Sequence, residues 1–347
     1  LTWLNCKNNQ LTNLDVSNNT ALIILDCSSN PLTSLDVSGA TALTWLNCKN
    51  NQLTNLDVSN NTALTTLYCG QSLLTTLDVS QNSALTYLQC SNNQLSTLDV
   101  SQNTALFELI CNYNQLITLD VSNNTALTRL FFQSNQLAST SLDVSGATAL
   151  IELHCYSNQL LSLDVSNNTA LTKLFCADNP LTTLDVSNNT ALTTLYCGQS
   201  LLTTLDVSSN TALTTLYCSQ SLLTTLDVSS NTALTHFDCQ DNQLTFLDLR
   251  NGNNMNFTNI SFNSQNNPTL SCINVDDSTW STNNWVNIDP QHYFSDNCGG
   301  TTLIEEHTIS KQLLKVTDLL GRETKQTNQP LFYIYDDGTV EKRIIIE

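Results

Sequence analysis

The sequence of 347 residues contains few glycines, prolines and charged residues. It contains nine glycines and five prolines, and only 12% of its residues are charged. Basic residues are especially scarce, with 11 lysines and arginines against 30 aspartates and glutamates, which gives a net charge of −19. Partners such as nucleic acids and anionic membranes select for a basic surface. The charge balance therefore predicts that this chain binds no nucleic acid.

Long apolar runs and catalytic motifs are also missing. No apolar run approaches the roughly 20 residues of a membrane-spanning helix, so we expect no transmembrane segment. The four histidines are scattered, and the spacings of zinc proteases, serine hydrolases and phosphate-binding loops do not occur. We therefore do not expect an enzyme. Leu1 begins in the middle of a repeating pattern, which indicates a mature form or a fragment.

The sequence is instead dominated by one repeat. The tetrapeptide LDVS, or a variant of it, begins every 21 residues except for one step of 23, at Leu14, Leu35, Leu56, Leu77, Leu98, Leu119, Leu142, Leu163, Leu184, Leu205, Leu226 and Leu247. Each copy holds two alternating triplets, Leu-x-Cys and Leu-x-Val, the pattern of short strands with one buried face. A single copy cannot bury its own leucines, so the copies must stack. We predict a β-rich solenoid of twelve coils with two parallel sheets over residues 1–250.

The repeat matches a known pattern. Within one coil, the motif L-x-x-L-x-L-x-x-N-x-L of leucine-rich repeats is matched by Leu43, Leu46, Cys48, Asn51 and Leu53. The second half of the coil repeats the match at Leu53, Leu56, Val58 and Asn61. Residues 1 to about 250 thus resemble the bacterial 21-residue nested class of leucine-rich repeat proteins.

Each repeated position should form a column in the stack. We interpret the cysteine column as small buried filler, because parallel neighbours are badly oriented for disulfides and Phe132 takes the same slot once. A soft-metal ladder and scattered disulfides remain alternatives. We expect the recurrent asparagines to satisfy backbone groups where the coil turns.

The aspartate column that begins at Asp15 should point outward. Its carboxylates either accept hydrogen bonds from nearby serine and threonine hydroxyls and backbone N–H groups, or hold calcium between coils. We expect no cofactor, and calcium at this column is the alternative.

Function is expected in the outward columns that vary from coil to coil. Two such columns lie two residues apart on the first strand of each coil and are rich in aromatic residues. The candidate ligand-binding residues are Trp45, Tyr68, Tyr87, Phe131, His154, Phe175, Tyr196 and Tyr217. Such a stripe is typical of surfaces that bind a protein or a sugar. The alternative is that the aromatic residues only stabilise the sheet by contacting one another.

The repeat fails after about residue 250, and a stacked solenoid needs an atypical terminal unit to cover its open end. We therefore predict an irregular C-terminal cap over residues 251–300. Cys272 and Cys298 are the only cysteines outside the column. Their separation from it predicts a disulfide, which fits an oxidising compartment.

Residues 301–347 form a separate tail. Alternating apolar residues and Gly-containing turns predict three short strands, in LLKVTDLLG, PLFYIYDDG and KRIIIE. The tail resembles the C-terminal sorting domain of the type IX secretion system of Gram-negative bacteria, through VTDLLGRE, YIYDDGTVEKR and the apolar-acidic terminus. The secretion-signal residues that this resemblance implies are Gly321, Arg322, Tyr335, Gly338, Lys342 and Glu347. It also implies export through an outer-membrane translocon and its shuttle proteins.

Taken together, these features predict a secreted or cell-surface leucine-rich repeat protein that binds or adheres to an extracellular protein or glycan. The alternative is a structural surface protein, a solenoid stiffened by calcium or one that binds ice, which would have no specific macromolecular ligand.

Overall fold

The structure of the chain is a computed structural model that describes residues 1–138, 142–257, 260–298, 313–317, 323–324, 330–335 and 340–344. The chain divides into two compact units, 1–298 and 299–347. Each unit is described by itself.

The first unit consists almost entirely of very short strands. In chain order they are β1 (Trp3–Asn5), β2 (Ile24–Asp26), β3 (Trp45–Asn47), β4 (Thr66–Tyr68), β5 (Tyr87–Gln89), β6 (Glu108–Ile110), β7 (Leu119–Asp120), β8 (Arg129–Phe131), β9 (Leu142–Asp143), β10 (Glu152–His154), β11 (Lys173–Phe175), β12 (Thr194–Tyr196), β13 (Thr215–Tyr217), β14 (Thr225–Asp227), β15 (His236–Asp238), β16 (Phe246–Asp248), β17 (Phe262–Asn263), β18 (Cys272–Asn274) and β19 (Tyr293–Ser295). A 3-10 helix spans Asn254–Asn256 and an α-helix, α1, spans Ser278–Asn284.

Thirteen of these strands form one parallel sheet, which we call the face sheet. Its order is β1, β2, β3, β4, β5, β6, β8, β10, β11, β12, β13, β15 and β17. The register is that of the repeat, so that Leu25 pairs with Leu46 and Leu46 with Leu67. The central leucines of these strands are fully buried from β2 onward, because the solenoid core lies behind the face sheet. The predicted parallel solenoid is confirmed.

The LDVS side of the coils pairs less continuously. Strands β14, β16, β18 and β19 form a four-stranded sheet there, β7 pairs with β9, and a single bridge joins Asp15 to Asp36. Elsewhere on this side, asparagine side chains carry inter-coil bonding. The Asn82 amide, for example, donates to the carbonyls of Val58 at 3.0 Å and Asn61 at 2.8 Å. The second sheet is therefore partly replaced by a column of amides.

A second asparagine column braces the other turn of each coil. Asn114 shows the pattern: its amide donates to the carbonyls of Cys90 at 3.1 Å and Cys111 at 3.0 Å, and its oxygen accepts from the Leu95 N–H at 3.1 Å. One buried side chain thus ties three backbone groups in two neighbouring coils. We call this arrangement the asparagine bracket. It recurs at Asn30, Asn51, Asn93, Asn135, Asn158, Asn179, Asn242 and Asn267.

Each coil turns through one residue in the left-handed region. These residues have φ of 52–57° and are Asn8, Ser29, Asn50, Gln71, Asn92, Tyr113, Ser134, Ser157, Asp178, Gln199, Gln220, Asp241 and Asn266. Few non-glycine residues adopt this conformation, and asparagine and aspartate, which occupy six of these positions, tolerate it best. In most coils the bracket asparagine comes directly after this residue.

The cysteine column lies inside the core. From Cys27 to Cys239 its thiols are fully buried or nearly so, and Phe132 fills the same slot with no exposure. The column's cysteines are free thiols, and burial raises their pKa, to about 12 for Cys48, Cys90 and Cys197. These side chains therefore act as small core residues.

The stack continues beyond residue 250, to about fourteen turns instead of the expected twelve coils. Strand β17 pairs with β15, so that Phe262 follows Phe237 in the leucine column. Asn267 forms a complete bracket with the carbonyls of Cys239 and Ser264, both at 3.0 Å. The step from Phe237 to Phe262 is 25 residues long instead of 21, and serine replaces cysteine at position 264. These changes conceal this thirteenth coil in the sequence.

The end of the stack is closed by aromatic packing. Trp285 stacks on Phe262 with ring centroids 4.2 Å apart and meets Phe294 edge-on at 5.4 Å. Helix α1 is capped by Asp277, whose side chain accepts from the Trp280 N–H at 2.9 Å. A disulfide joins Cys272 and Cys298, whose Cα atoms are 5.6 Å apart.

In the second unit, β20 (Leu313–Thr317), β21 (Pro330–Tyr335) and β22 (Val340–Ile344) form an antiparallel sheet in that order. Strands β20 and β21 lie within the predicted segments LLKVTDLLG and PLFYIYDDG, whereas β22 begins two residues before the predicted KRIIIE and shares residues 342–344 with it. Tyr335 ends β21 and Lys342 lies within β22, whereas the other secretion-signal candidates, Gly321, Arg322, Gly338 and Glu347, lie outside the described residues.

The amide columns generate a prediction about stability. Replacing Asn103 by Ala removes its buried hydrogen bonds to the carbonyls of Val79 at 3.0 Å and Asn82 at 2.9 Å. Both carbonyls keep a turn hydrogen bond, from the N–H groups of Asn82 at 2.9 Å and Leu85 at 3.0 Å. The loss of the two inter-coil bonds, at about 1 kcal/mol each, should therefore lower the free energy of unfolding by roughly 2 kcal/mol. Urea denaturation followed by circular dichroism measures the change. The neighbouring exposed Gln102→Ala is the control and should change stability by less than about 0.5 kcal/mol; equal effects of the two changes would contradict the role of the column.

Candidate ligand-binding face

The face sheet places two columns of side chains outward. In each three-residue strand the middle leucine or phenylalanine points into the core, so the first and third residues point to the opposite side. Neighbouring strands in a sheet are about 4.8 Å apart, which brings equivalent side chains of successive coils into contact. All eight candidate residues lie at these outward positions and are half-buried.

The eight residues form two separate ladders of rings. In the first ladder, Tyr68 lies 5.7 Å from Trp45 and 4.8 Å from Tyr87 between ring centroids. The second ladder runs through Phe131, His154, Phe175, Tyr196 and Tyr217, with successive centroids 4.5, 4.1, 4.7 and 4.5 Å apart. We call them the short ladder and the long ladder.

The inner rings of both ladders have neighbours on two sides. Adjacent rings of the long ladder are inclined at 32–64°, and Phe175 meets Tyr196 edge to face. Burial also raises the pKa of Tyr87 and Tyr196, with a further contribution from the neighbouring Tyr68 and Tyr217 respectively. The ladders therefore present aromatic surface and neutral phenol hydroxyls to a ligand.

A row of alternating charges runs beside the long ladder, a feature that the sequence analysis did not include in the site. Arg129 forms an ion pair with Glu108, which is only 7% exposed, and Lys173 lies 3.8 Å from a Glu152 oxygen. The signal was present in the sequence as Glu, Arg, Glu and Lys in four successive coils at the first strand position. This row gives the face charged groups of both signs.

His154 links the charged row to the long ladder. Its ring stacks between Phe131 and Phe175, and Nε2 lies 2.9 Å from Glu152 Oε1. Burial lowers the pKa of His154, and the Glu152 carboxylate opposes this effect. The imidazole thus serves as a neutral aromatic member of the ladder around pH 7.

The LDVS side has a different character. Each aspartate from Asp15 to Asp227 accepts the N–H of the serine two residues later, at 2.8–2.9 Å. The carboxylates are therefore engaged within their own turns, as the first of the two interpretations expects. Among the residues that the structure describes, no group of three or more potential ligands is placed to hold a metal ion.

The architecture of this chain is similar to that of solved leucine-rich repeat proteins. The functional domain of InlJ from Listeria monocytogenes, which includes a cysteine ladder, is similar to this chain with 38% identity and a TM-score of 0.64, over 79% of this chain and 64% of the Listeria chain. The chain has the leucine-rich repeat solenoid fold. Its length spans less than two thirds of that Listeria domain.

Two further structures are similar at the level of the fold. The internalin InlF of Listeria monocytogenes is 22% identical with a TM-score of 0.54, over 69% of this chain and 80% of that chain. The leucine-rich repeat protein LIC12759 of Leptospira interrogans is 18% identical with a TM-score of 0.58, over 84% of this chain and 95% of that chain. No protein-family model and no curated protein matches the sequence. Neither helix in the described part of the chain has the length and apolarity needed to cross a bilayer.

The aspartate column predicts how stability depends on pH. Hydrogen bonds from serine hydroxyls and N–H groups lower the pKa of nine of these carboxyls, Asp15, Asp36, Asp57, Asp78, Asp99, Asp143, Asp164, Asp185 and Asp206. A depressed pKa stabilises the fold above the unfolded value of about 4, and the contribution is lost as pH falls through the folded values. Thermal melting should therefore change little from about pH 7 to 5 and drop below about pH 4.

A matched variant separates this effect from general acid denaturation. Replacing Asp143, Asp164, Asp185 and Asp206 by Asn should reduce the loss of melting temperature in acid. A rise of the wild-type melting temperature on acidification would instead mean that repulsion between stacked carboxylates dominates, and would contradict the account.

Proposed function

We propose that this chain is a secreted or cell-surface binding protein, and that an extracellular protein or glycan docks on the outward side of the face sheet. The observation that carries the proposal is the pair of aromatic ladders. Eight half-exposed rings gathered on one side of the sheet form a surface of the composition that interfaces favour.

The difference between the buried columns and the outward columns supports this role. Leucine, valine and cysteine occupy their columns almost without exception because the core requires them, and asparagine holds most positions of its two columns. The outward columns of the face sheet carry no such requirement, yet they hold aromatic residues in successive coils. Ladder contacts stabilise the sheet by a modest amount, but half-exposed rings and a row of paired charges also provide the anchors that a partner needs.

For export, we propose that the second unit acts as a type IX sorting signal. The support is the resemblance of its sequence, together with an antiparallel three-stranded sheet that forms a compact unit after Cys298. The Cys272–Cys298 disulfide agrees with a route that leaves the reducing cytoplasm.

The binding proposal is tested on the long ladder. Changing Tyr196 and Tyr217 together to Ala removes two contiguous rings without touching the buried leucine and cysteine columns. Binding to an array of immobilised extracellular proteins and glycans should fall by at least about tenfold, since truncating central aromatic anchors costs 1–2 kcal/mol or more. Circular dichroism should show an intact solenoid.

The control is Tyr293→Ala, which removes a tyrosine that is 58% exposed on β19, in the other sheet. This variant should bind as the wild type does. Retained binding by the double variant, with the array otherwise giving a signal, would show that the ladder is not the ligand site.

The export proposal needs a separate test. Deleting residues 338–347 from the full chain should leave the protein in the periplasm of a host with type IX secretion, whereas the intact chain reaches the surface or the medium. The intact chain in the same host without the translocon serves as the control and should also remain in the periplasm. Normal export of the deleted chain would contradict the sorting role.

A further inference from the structure

Three coils depart from the repeat at several positions together. Each carries a tyrosine in a ladder (Tyr68, Tyr196, Tyr217), a small residue two positions later (Gly70, Gly198, Ser219), a serine in place of the bracket asparagine (Ser72, Ser200, Ser221) and an exposed leucine directly after it (Leu73, Leu201, Leu222). In most other coils the last position is glutamine: Gln10, Gln52, Gln94, Gln115, Gln136, Gln159 and Gln243. The tyrosine, the serine and the leucine thus occur as a set, whereas the small residue is also found at Ser28, Ser91 and Ala177.

These departures do not serve stability. A serine hydroxyl has one donor, whereas the asparagine amide has two and an acceptor as well. The Ser200 hydroxyl meets the Ser221 hydroxyl at 2.9 Å, and neither serine forms a bracket to the preceding coil. The leucines that follow are 46% exposed at Leu201 and 36% at Leu222. Each such coil therefore lacks the bracket hydrogen bonds to the preceding coil and exposes an apolar side chain.

Two of the three coils are adjacent and create a continuous apolar strip. Pro180, Leu201 and Leu222 occupy equivalent positions in successive coils on the flank of the face sheet. Beside them is a shallow concavity of about 490 Å³, whose lining includes Asp178, Pro180 and Leu201. We call Pro180, Leu201 and Leu222 the flank strip.

The flank strip and the long ladder share two coils. Gly198 lies in the chain between Tyr196 and Leu201, and a Cβ atom at Gly198 would come within 2.4 Å of the Ser219 carbonyl oxygen. The close approach of the two coils leaves no room for a side chain at Gly198, and the exposed Gln199 is the large side chain between the ring and the leucine. Each of these coils therefore carries a ladder ring and a strip leucine on the two sides of one turn.

The charges around the strip indicate the kind of partner. Asp178 and Asp241 occupy the left-handed turn position in the coils before and after Leu201 and Leu222, with the uncharged Gln199 and Gln220 between them. Three coil steps place these two carboxylates about 14 Å apart. An apolar centre with a carboxylate at each end is complementary to a segment that has apolar side chains between basic ones.

We propose that the flank strip, together with Tyr196 and Tyr217, binds a polypeptide segment in which apolar side chains are flanked by lysine or arginine. The proposal rests on the binding role of the face sheet and specifies the class of ligand. A glycan fits less well, since the leucine and proline side chains of the flank strip offer a sugar no hydrogen bonds.

The test uses a phage-displayed library of random short peptides, selected on the intact chain, with a glycan array as the parallel probe. Enriched peptides should combine apolar and basic residues. The double variant Leu201→Gln, Leu222→Gln should bind them at least about tenfold more weakly. It places at both positions the residue that seven other coils already carry, so the fold should be retained.

Matched variants test which side chains contribute to peptide binding. Leu73→Gln makes the same change in the coil beside the short ladder and should leave peptide binding unchanged. Asp178→Asn with Asp241→Asn should weaken binding at low salt and remove most of the loss that ~0.5 M salt causes for the wild type, because exposed charges are screened there.

The outcomes distinguish this proposal from the broader one. Binding that is lost in the Tyr196→Ala, Tyr217→Ala variant but kept in the leucine double variant overturns the flank strip and leaves the ladder as the binding site. Binding that depends on the leucines and not on the tyrosines supports the strip and removes the ladder from the site. Enrichment of glycans alone, of peptides without basic residues, or of nothing overturns the polypeptide ligand proposed here.

Discussion

The asparagine bracket is the interaction on which the rest of this structure depends. A coil of 21 residues turns sharply and leaves backbone groups without partners in a sheet. One amide such as that of Asn114 satisfies three of those groups and joins two coils while doing so. The register of the face sheet, the left-handed turn residues and the buried cysteine column all require coils that stack without slipping. The second amide column, represented by Asn103, gives the same support on the LDVS side.

Because the coils stack in register, each repeated position forms a column, and the two sides of the solenoid carry different side chains. The aspartates on one side are engaged by the serines of their own turns, which makes that side uniform and acidic. On the face sheet the same stacking brings rings within 4.1–4.7 Å along the long ladder and places Glu108 against Arg129. Variation that the core does not constrain is concentrated there. The coils of Tyr196 and Tyr217 add to this variation, because each has a serine in place of the bracket asparagine and an exposed leucine directly after it.

Much of the solenoid fold and of the candidate face could be predicted from the sequence, because a strict 21-residue period fixes the register of the strands. Once Leu46 is known to pair with Leu67, the outward columns and all eight candidate residues follow. The thirteenth coil was missed since Phe262 and Ser264 replace leucine and cysteine after an irregular step. The pairing of Glu108 with Arg129 and the inclination of the rings depend on side-chain geometry between coils, which the period alone does not specify. On the LDVS side, the amides donate to valine and asparagine carbonyls of the preceding coil, an arrangement that the repeat alone does not reveal.

The most direct test of in-register stacking is the reactivity of the cysteine column. Of the thirteen cysteines, two form the disulfide and eleven are free. A thiol reagent needs an accessible thiolate, and among the free cysteines only Cys6 is more than slightly exposed. Titration of the native protein with such a reagent should label Cys6 and leave the other ten protected until denaturant is added. Rapid labelling of several column thiols in the native state would mean that the coils do not enclose the core, and would contradict the account.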